Sequence, residues 1–117
     1  MLVLPSTAHE GVPQILLQAH ATQTPIIGSA AGGIPEVVTH ETSGLLVPPK
    51  DAPALARAMI DLASDPDKRD RLARDGRAFV EHHHSIDKMC ETLEALYARY
   101  LPDAAPAAGS PPRSASR

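Results

Sequence analysis

One short stretch, HEGVPQILLQA, places an acid directly before a predicted helix start. Pro13 favours the first helical position, since the N–H that proline lacks would have no partner there. The predicted unpaired donors at this start are the N–H groups of Gly11, Val12, Gln14 and Ile15. A helix start with free N–H groups and a positive dipole end can hold a phosphate or a sugar hydroxyl. Glu10 lies just before these donors and can accept hydrogen bonds from sugar hydroxyls.

Gln18 extends this candidate site along the helix. It follows Gln14 by one turn, about 6 Å along the axis at 1.5 Å per residue, which suits the spacing between a phosphate and its ribose. An amide side chain can donate to one hydroxyl and accept from another. Two plainer interpretations stay open: Glu10 as a solvated turn residue and Gln18 as a surface residue of the helix.

A strand–helix–strand unit must position this stretch. The apolar run Leu2–Leu4 predicts a strand buried on both faces, residues 13–22 predict a helix, and residues 25–28 predict a second strand. Such a short unit requires parallel pairing with a right-handed crossover. The first strand then ends where the helix starts, at the sheet edge where open α/β folds bind their ligands.

The rest of the chain predicts one more strand and several helices. Gly32 and Gly33 precede a short helix over residues 34–38 and are interpreted either as a ligand loop or as a plain turn. Residues 43–47 predict the third strand, and helices begin near Asp51 and Asp65. The predicted fold class is α/β, a partial Rossmann-like parallel sheet of about three strands followed by C-terminal helices. We expect a domain over residues 1–101 and a disordered tail rich in Pro, Ala and Ser over residues 102–117.

The last predicted helix follows Ser85 as its N-cap and carries an apolar stripe at three- and four-residue intervals. The stripe consists of Ile86, Met89, Cys90, Leu93, Leu96, Tyr97, Tyr100 and Leu101. Because Cys90 belongs to this stripe, we expect its thiol to be buried and inert.

Charge and composition exclude several functions. The net charge of −3 comes with no basic face, so neither nucleic-acid binding nor strong membrane binding is expected. The single cysteine and the absence of a leader pattern or a long apolar run favour a cytoplasmic location. Ser6, His9 and Glu10 lack the turn geometry of a nucleophile, so nucleophilic catalysis is rejected. The run of three histidines from His82 predicts a helix terminus rather than a metal site, and no metal ligands are expected.

Five motifs together resemble a known family. In chain order they are LPSTAHEGVPQILLQA, TPIIGSAAGGIPEVV, SGLLVPPKD, ALARAMIDLASDPDKRDRL and GRAFVEHHHSIDKMCETLEALYARYL. From Leu2 to Leu101 the chain is similar to the C-terminal half of retaining, nucleotide-sugar-dependent glycosyltransferases of family 4 (glycosyl transferases group 1). The resemblance implies a GT-B fold and an enzyme that transfers a hexose from a UDP-sugar or GDP-sugar to a carbohydrate or lipid-linked acceptor. It implies retention of the anomeric configuration and no obligatory metal or other cofactor.

The resemblance also implies roles for single residues. The family has two glutamates separated by seven residues, the first near the donor sugar and the second on the ribose. Glu10 matches the first and is the implied catalytic residue, whereas the second falls on Gln18, whose neutral amide implies weakened ribose recognition. Gly32 and Gly33 match the family's glycine loop at the donor cleft.

Two departures from the family concern the backbone. Gln23 and Glu41 stand where the family commonly has glycine. If the chain still needs positive φ at these positions, each residue costs roughly 1 kcal/mol of stability.

In the family, an N-terminal domain supplies the acceptor site and a catalytic-site histidine, and an earlier segment supplies a basic pair for the pyrophosphate. The chain begins after these parts, which predicts a fragment inactive alone, a remnant, or a subunit of a split transferase. A non-catalytic module is the alternative, with its sheet edge and last helices binding a separate N-terminal domain or a second copy. A peripheral association with the inner face of the membrane is compatible with a lipid-linked acceptor.

Overall fold

The structure, a computed structural model, describes residues 1–8 and 10–101. The tail predicted for residues 102–117 lies outside the described residues. The chain divides into two compact units, Met1–Ser85 and a second unit that begins at Ile86.

The first unit is built on a parallel sheet of three strands in the order β1-β2-β3. These strands are β1 (Leu2–Leu4), β2 (Ile26–Ser29) and β3 (Leu45–Val47). The central strand β2 is buried along its whole length, whereas β1 is half-buried because it pairs with β2 on one side. The predicted α/β fold class is confirmed, and the burial predicted for β1 on both faces is too strong.

Four helices complete the first unit: α1 (Gln14–Ala21), α2 (Ile34–Val37), α3 (Ala52–Ser64) and α4 (Pro66–His83). The predicted helical position of Pro13 is wrong by one residue. Pro13 is the N-cap instead. Its backbone is extended, with ψ 116°, while its carbonyl already accepts the first hydrogen bond of the helix, from the N–H of Leu16 at 3.0 Å.

The core lies on both faces of the sheet because successive β2 residues point to opposite sides. Ile26 packs with side chains of α1 and α2, in a cluster that includes Leu16, Ile34 and Val37. Ile27 packs on the other face, in a cluster that includes Leu62 and Leu72. The sheet is therefore covered on both sides, and α1 is held against it by its buried face.

Both positive-φ positions anticipated from the sequence are confirmed. Gln23 has φ 53° and Glu41 has φ 61°. At Glu41 the strain is offset by contacts with α4: Lys68 Nζ lies 2.8 Å from Glu41 Oε1, and the Arg71 guanidinium donates to the Glu41 carbonyl at 2.9 Å. Gln23 has no such side-chain contact among the described residues.

The second unit contains α5 (Ile86–Tyr100). Its helical character is confirmed, but the expected burial of Cys90 is wrong, since Cys90 and the rest of the apolar stripe are exposed. Periodicity shows which residues share a helix face and does not show what covers that face. None of the described helices combines the length and the apolar content needed to cross a bilayer.

Candidate functional site

The loops that follow β1 and β2 pack backbone against backbone. The N–H of Gly33 donates to the carbonyl of Glu10 at 2.8 Å. A Cβ on Gly33 would lie 2.7 Å from the carbonyl oxygen of Gly11, and one on Gly32 would meet the Glu10 backbone. Gly32 also has φ +54°. The two glycines are therefore needed for this close approach, which a plain turn would not require.

The start of α1 keeps its hydrogen-bond donors available. Within the described chain, no group accepts a hydrogen bond from the N–H groups of Gly11, Val12, Gln14 or Ile15. All four residues are exposed. Pro13 supplies no side-chain cap. This helix start has the donors and the positive dipole end that suit an anion.

Glu10 is held at two points beside these donors. The Ser6 hydroxyl donates to Glu10 Oε2, and the Glu10 carbonyl accepts from Gly33. The residue is half-buried, and the hydrogen bond from Ser6 restricts the orientation of its carboxylate. Ser6, which the sequence suggested only as a rejected nucleophile, thus orients the carboxylate.

The structure brings five of the eight predicted site residues into contact and leaves the other three, Gln14, Ile15 and Gln18, along α1. Glu10, Gly11 and Val12 meet Gly32 and Gly33 directly. The side chains of Gln14 and Gln18 are both exposed, one turn apart on α1. The roles of all these residues stay predictions.

A cavity of about 160 Å³ lies at the carboxyl ends of all three strands and was missed from the sequence. Its lining includes Thr7 after β1, Ser29 at the end of β2 and Asp51 at the start of α3. These residues are far apart in the chain, so no local motif signals that they meet.

His20 is a second feature that sequence reasoning missed. It is 1% exposed, and its Nε2 lies 3.0 Å from the Val37 carbonyl, while Nδ1 has no hydrogen-bond partner among residues 1–8 and 10–101. Burial lowers the pKa of His20. The available signal was its spacing of four residues from Leu16, which places both on the buried face of α1.

The histidine run lies at the C-terminal end of α4, as predicted, with His84 as the C-cap. The His83 and Phe79 rings pack with centroids 4.9 Å apart. In the part of the chain that the structure describes, no three His, Cys, Asp or Glu side chains are grouped to hold a metal ion.

Fold and site together define an open α/β protein with a Rossmann-like parallel sheet, in which a helix start at the carboxyl edge presents free donors. Residues 1–79 match the family described as Glycosyl transferases group 1. The chain belongs to this family of glycosyltransferases, and the similar solved structures confirm a GT-B type of fold.

Three similar proteins illustrate the match. The GDP-mannose-dependent monoacylated alpha-(1-6)-phosphatidylinositol monomannoside mannosyltransferase of Corynebacterium glutamicum is 39% identical over 84 residues, which is 72% of this chain and 22% of that protein. The structure of sucrose-phosphate synthase from Thermosynechococcus elongatus aligns with a TM-score of 0.79 at 35% identity, covering 86% of this chain and 25% of the synthase. The structure of Anabaena HepE in complex with UDP-glucose aligns with a TM-score of 0.72 at 25% identity, covering 80% of this chain and 27% of HepE. The chain thus spans about a quarter of the length of these proteins.

Proposed function

We propose that this chain is the donor-binding part of a retaining glycosyltransferase. Its reaction would be transfer of a hexose from a UDP-sugar or GDP-sugar to a carbohydrate or lipid-linked acceptor. The observation that carries the proposal is the start of α1, where four exposed residues have N–H groups with no acceptor in the described chain, beside the oriented carboxylate of Glu10. The UDP-glucose complex of HepE and the GDP-mannose dependence of the C. glutamicum relative support a nucleotide-sugar donor.

In the proposed mechanism the pyrophosphate binds at the start of α1. The N–H groups of Gly11, Val12, Gln14 and Ile15 would receive its oxygens. As the bond from the sugar to the phosphate breaks, negative charge grows on the departing nucleoside diphosphate. Fixed N–H groups and the helix dipole stabilise that charge without reorganisation, which lowers the barrier. No metal ion or other cofactor is part of this proposal.

The side chains would then divide the donor between them. Glu10, oriented by Ser6, would be the catalytic residue, and its carboxylate would accept hydrogen bonds from the donor sugar. Gln18, one turn along α1 from the pyrophosphate, would contact the ribose hydroxyls. Gly32 and Gly33 would act by holding the Glu10–Val12 backbone in place, since both pack against it.

The acceptor site belongs to a further part of the enzyme in this proposal. Because the chain spans about a quarter of its relatives, we expect an N-terminal GT-B domain to complete the cleft, supplied by the same or another polypeptide. The donor part alone would bind nucleotide without transferring sugar. A cytoplasmic location, with or without association with the inner face of the membrane, fits such an enzyme.

The test is calorimetric titration of the chain with UDP, GDP and UDP-glucose. Glu10→Ala should weaken UDP-glucose binding about tenfold and leave UDP binding unchanged, because Glu10 contacts the sugar. Gln18→Ala should weaken both ligands, because both contain the ribose. Glu94→Ala on the exposed surface of α5 is the matched control. Lack of binding of any nucleotide by the folded chain would contradict the proposal.

Replacing Gln18 by the family's acid gives a gain-of-function version of the same test. A carboxylate accepts stronger hydrogen bonds from ribose hydroxyls than an amide, a difference of about 1 kcal/mol. Gln18→Glu should therefore bind UDP about fivefold more tightly. Equal or weaker binding by this variant would place the ribose away from position 18.

The apolar stripe of α5 favours an interaction module as a second candidate. Ile86, Tyr97 and Tyr100 are 72%, 59% and 67% exposed. Such a stripe is typical of a surface that binds a partner, here an N-terminal GT-B domain or a second copy of the chain. Sedimentation of the wild type and of Leu96→Asp tests it: a concentration-dependent dimer abolished by the substitution indicates self-association.

A further inference from the structure

Two hydrogen-bond contacts connect the segment of α1 and its preceding loop to the segment of α2 and its N-cap. Just before α1, the Glu10 carbonyl accepts from the N–H of Gly33, which is the N-cap of α2. At the other end, His20 in the last turn of α1 lies 3.0 Å through Nε2 from the carbonyl of Val37, the last residue of α2. The first contact belongs to the candidate site, and the second lies outside it.

The surroundings of His20 select one form of its ring. Since Nε2 faces a carbonyl oxygen, Nε2 must carry the proton, and Nδ1 holds a bare lone pair. Nδ1 is buried without a partner beside Gly76 of α4, where an added Cβ would collide with the ring. The space beside Gly76 has no room for a group that could accept a hydrogen bond from a protonated Nδ1. The ring therefore fits the structure only when it is neutral.

The charged and titratable groups around His20 come mainly from α4. Arg77 donates to the Ala21 carbonyl at the end of α1 and pairs with Glu81 at 2.7 Å. His83 and His84 stack on Phe79, whose ring lies edge-on to His20 at 6.3 Å. On α2 the titratable group is Glu36, which is exposed. Burial lowers the pKa of His20, and of these groups His84 acts with burial to lower it.

We propose that His20 is a positioning residue for the donor site: its neutral ring ties α1 to α2 and so keeps the Gly32–Gly33 loop seated against Glu10–Val12. A shift of α2 relative to α1 would break the contact between Gly33 and Glu10. Gly33 and Val37 lie at the two ends of the same four-residue helix, so the bond to Glu10 and the bond to His20 move together. The relevance of this tie to catalysis rests on the proposed function, but the tie itself is a property of the folded chain.

Amide hydrogen exchange measures the tie directly. Gly33 reports on the contact between the loops, and Ala30, whose N–H donates to the Val47 carbonyl at 2.8 Å, reports on the sheet. His20→Leu removes the donor and should accelerate exchange at Gly33 at least tenfold more than at Ala30. His20→Gln should keep both rates within about threefold of the wild type, since the glutamine amide can donate to the Val37 carbonyl. Equal acceleration at both amides, or none at Gly33, would overturn the proposal.

The wild-type chain provides a second measurement that needs no substitution at His20. Nitrogen chemical shifts of the imidazole should show the Nε2–H form. Acidification should lower the protection of the Gly33 amide, which is its intrinsic exchange rate at each pH divided by the observed rate, in step with protonation of His20. A variant with His82, His83 and His84 replaced by Gln should keep this coupling. An Nδ1–H form, or Gly33 exchange that ignores the state of His20, would contradict the tie.

Titration with UDP separates this inference from the proposed function. If His20→Leu loses UDP affinity and His20→Gln keeps it, the result supports both the tie between α1 and α2 and the proposed function. If the wild type binds no nucleotide while the exchange results hold, the proposed function fails and the tie stands.

Discussion

Two corners of the first unit build their helix starts in opposite ways. At the α3–α4 corner, Asp65 caps α4 by accepting from the N–H of Lys68 at 2.9 Å, and at the far end of α3 Asp51 caps that helix by accepting from the N–H of Ala54 at 2.8 Å. At the α1–α2 corner, α1 starts at Pro13 with no side-chain cap. At the first corner a side chain accepts from one of the backbone donors of α4, whereas the donors at the start of α1 have no acceptor among the described residues.

The means of attachment differ as well. At the α3–α4 corner, Lys68 bridges Glu41 and Asp61, each at 2.8 Å, and these pairs raise the pKa of Lys68. The α1–α2 corner is held by glycine backbone contacts and a buried neutral histidine. Charged side chains on the surface tolerate change, whereas close backbone contact does not. We therefore expect substitutions at the α1–α2 corner to be the more damaging.

The largest expected effect is that of Gly33→Ala. The new Cβ would lie within 2.8 Å of backbone atoms of Gly11 and Val12, and clashes with backbone in a packed region cost about 3 kcal/mol. Gly11→Ala is the matched control, because no atom lies within 4 Å of its Cβ position. Urea denaturation should show a large loss in the free energy of unfolding for Gly33→Ala and little change for Gly11→Ala. Equal losses would mean that backbone contact does not hold this corner.

The next effect is a dependence on pH that originates at the α1–α2 corner. Burial lowers the pKa of folded His20 below the value of about 6.5 expected in the unfolded chain. Stability is therefore complete above about pH 6.5, and it falls below that pH because the unfolded chain binds a proton that the folded chain excludes. The slope is up to about 1.4 kcal/mol per pH unit until the folded pKa is reached.

Urea denaturation at several pH values checks this dependence. Plotted against pH, the free energy of unfolding of His20→Gln should have a smaller slope than that of the wild type, by the amount that binding of one proton contributes. The difference between the two curves cancels the contribution of the exposed histidines on α4. Parallel curves would show that His20 titrates normally in the folded chain.

Exchanging the two kinds of helix start should separate stability from binding. Asp65→Ala removes the cap of α4 and should cost about 1 kcal/mol with nucleotide affinity unchanged. Pro13→Asp places an acceptor at the start of α1, where it should occupy the free donors and repel a pyrophosphate. We expect this variant to stay folded and to lose UDP affinity at least tenfold by calorimetry. Unaltered affinity would show that the ligand does not use the start of α1.

The smallest effect concerns two of the left-handed residues, Gln23 and Glu41. Gln23→Gly relieves strain at φ 53° and should stabilise the chain by about 0.5–1 kcal/mol. Glu41→Gly relieves similar strain but loses the pairs with Lys68 and Arg71, each worth 1 kcal/mol or less. Thermal unfolding should show a higher Tm for Gln23→Gly and almost no change in Tm for Glu41→Gly. A larger gain at Glu41 would mean that the ion pairs contribute little.

Much of the fold could be predicted from local sequence signals. Proline and glycine mark the ends of the strands and helices, and the aspartates at 51 and 65 lie where helices begin, since capping depends on neighbours within one turn. The position of Pro13 was wrong by one residue because proline's fixed φ suits both the N-cap and the first helical position. Cys90 was placed on the correct face and with the wrong burial, since burial depends on what packs against a helix.

The sequence by itself determined the three strands and five helices of the described residues, the family, and a stretch with free donors at a helix start. All of these follow from residues close together in the chain or from motifs in order. Only the tertiary structure decided that Gly32 and Gly33 hold the Glu10 backbone, that His20 Nε2 meets the Val37 carbonyl of α2, and that its ring lies against Gly76 of α4. These contacts depend on atoms meeting across the fold to within a few tenths of an ångström, and no local pattern encodes that distance.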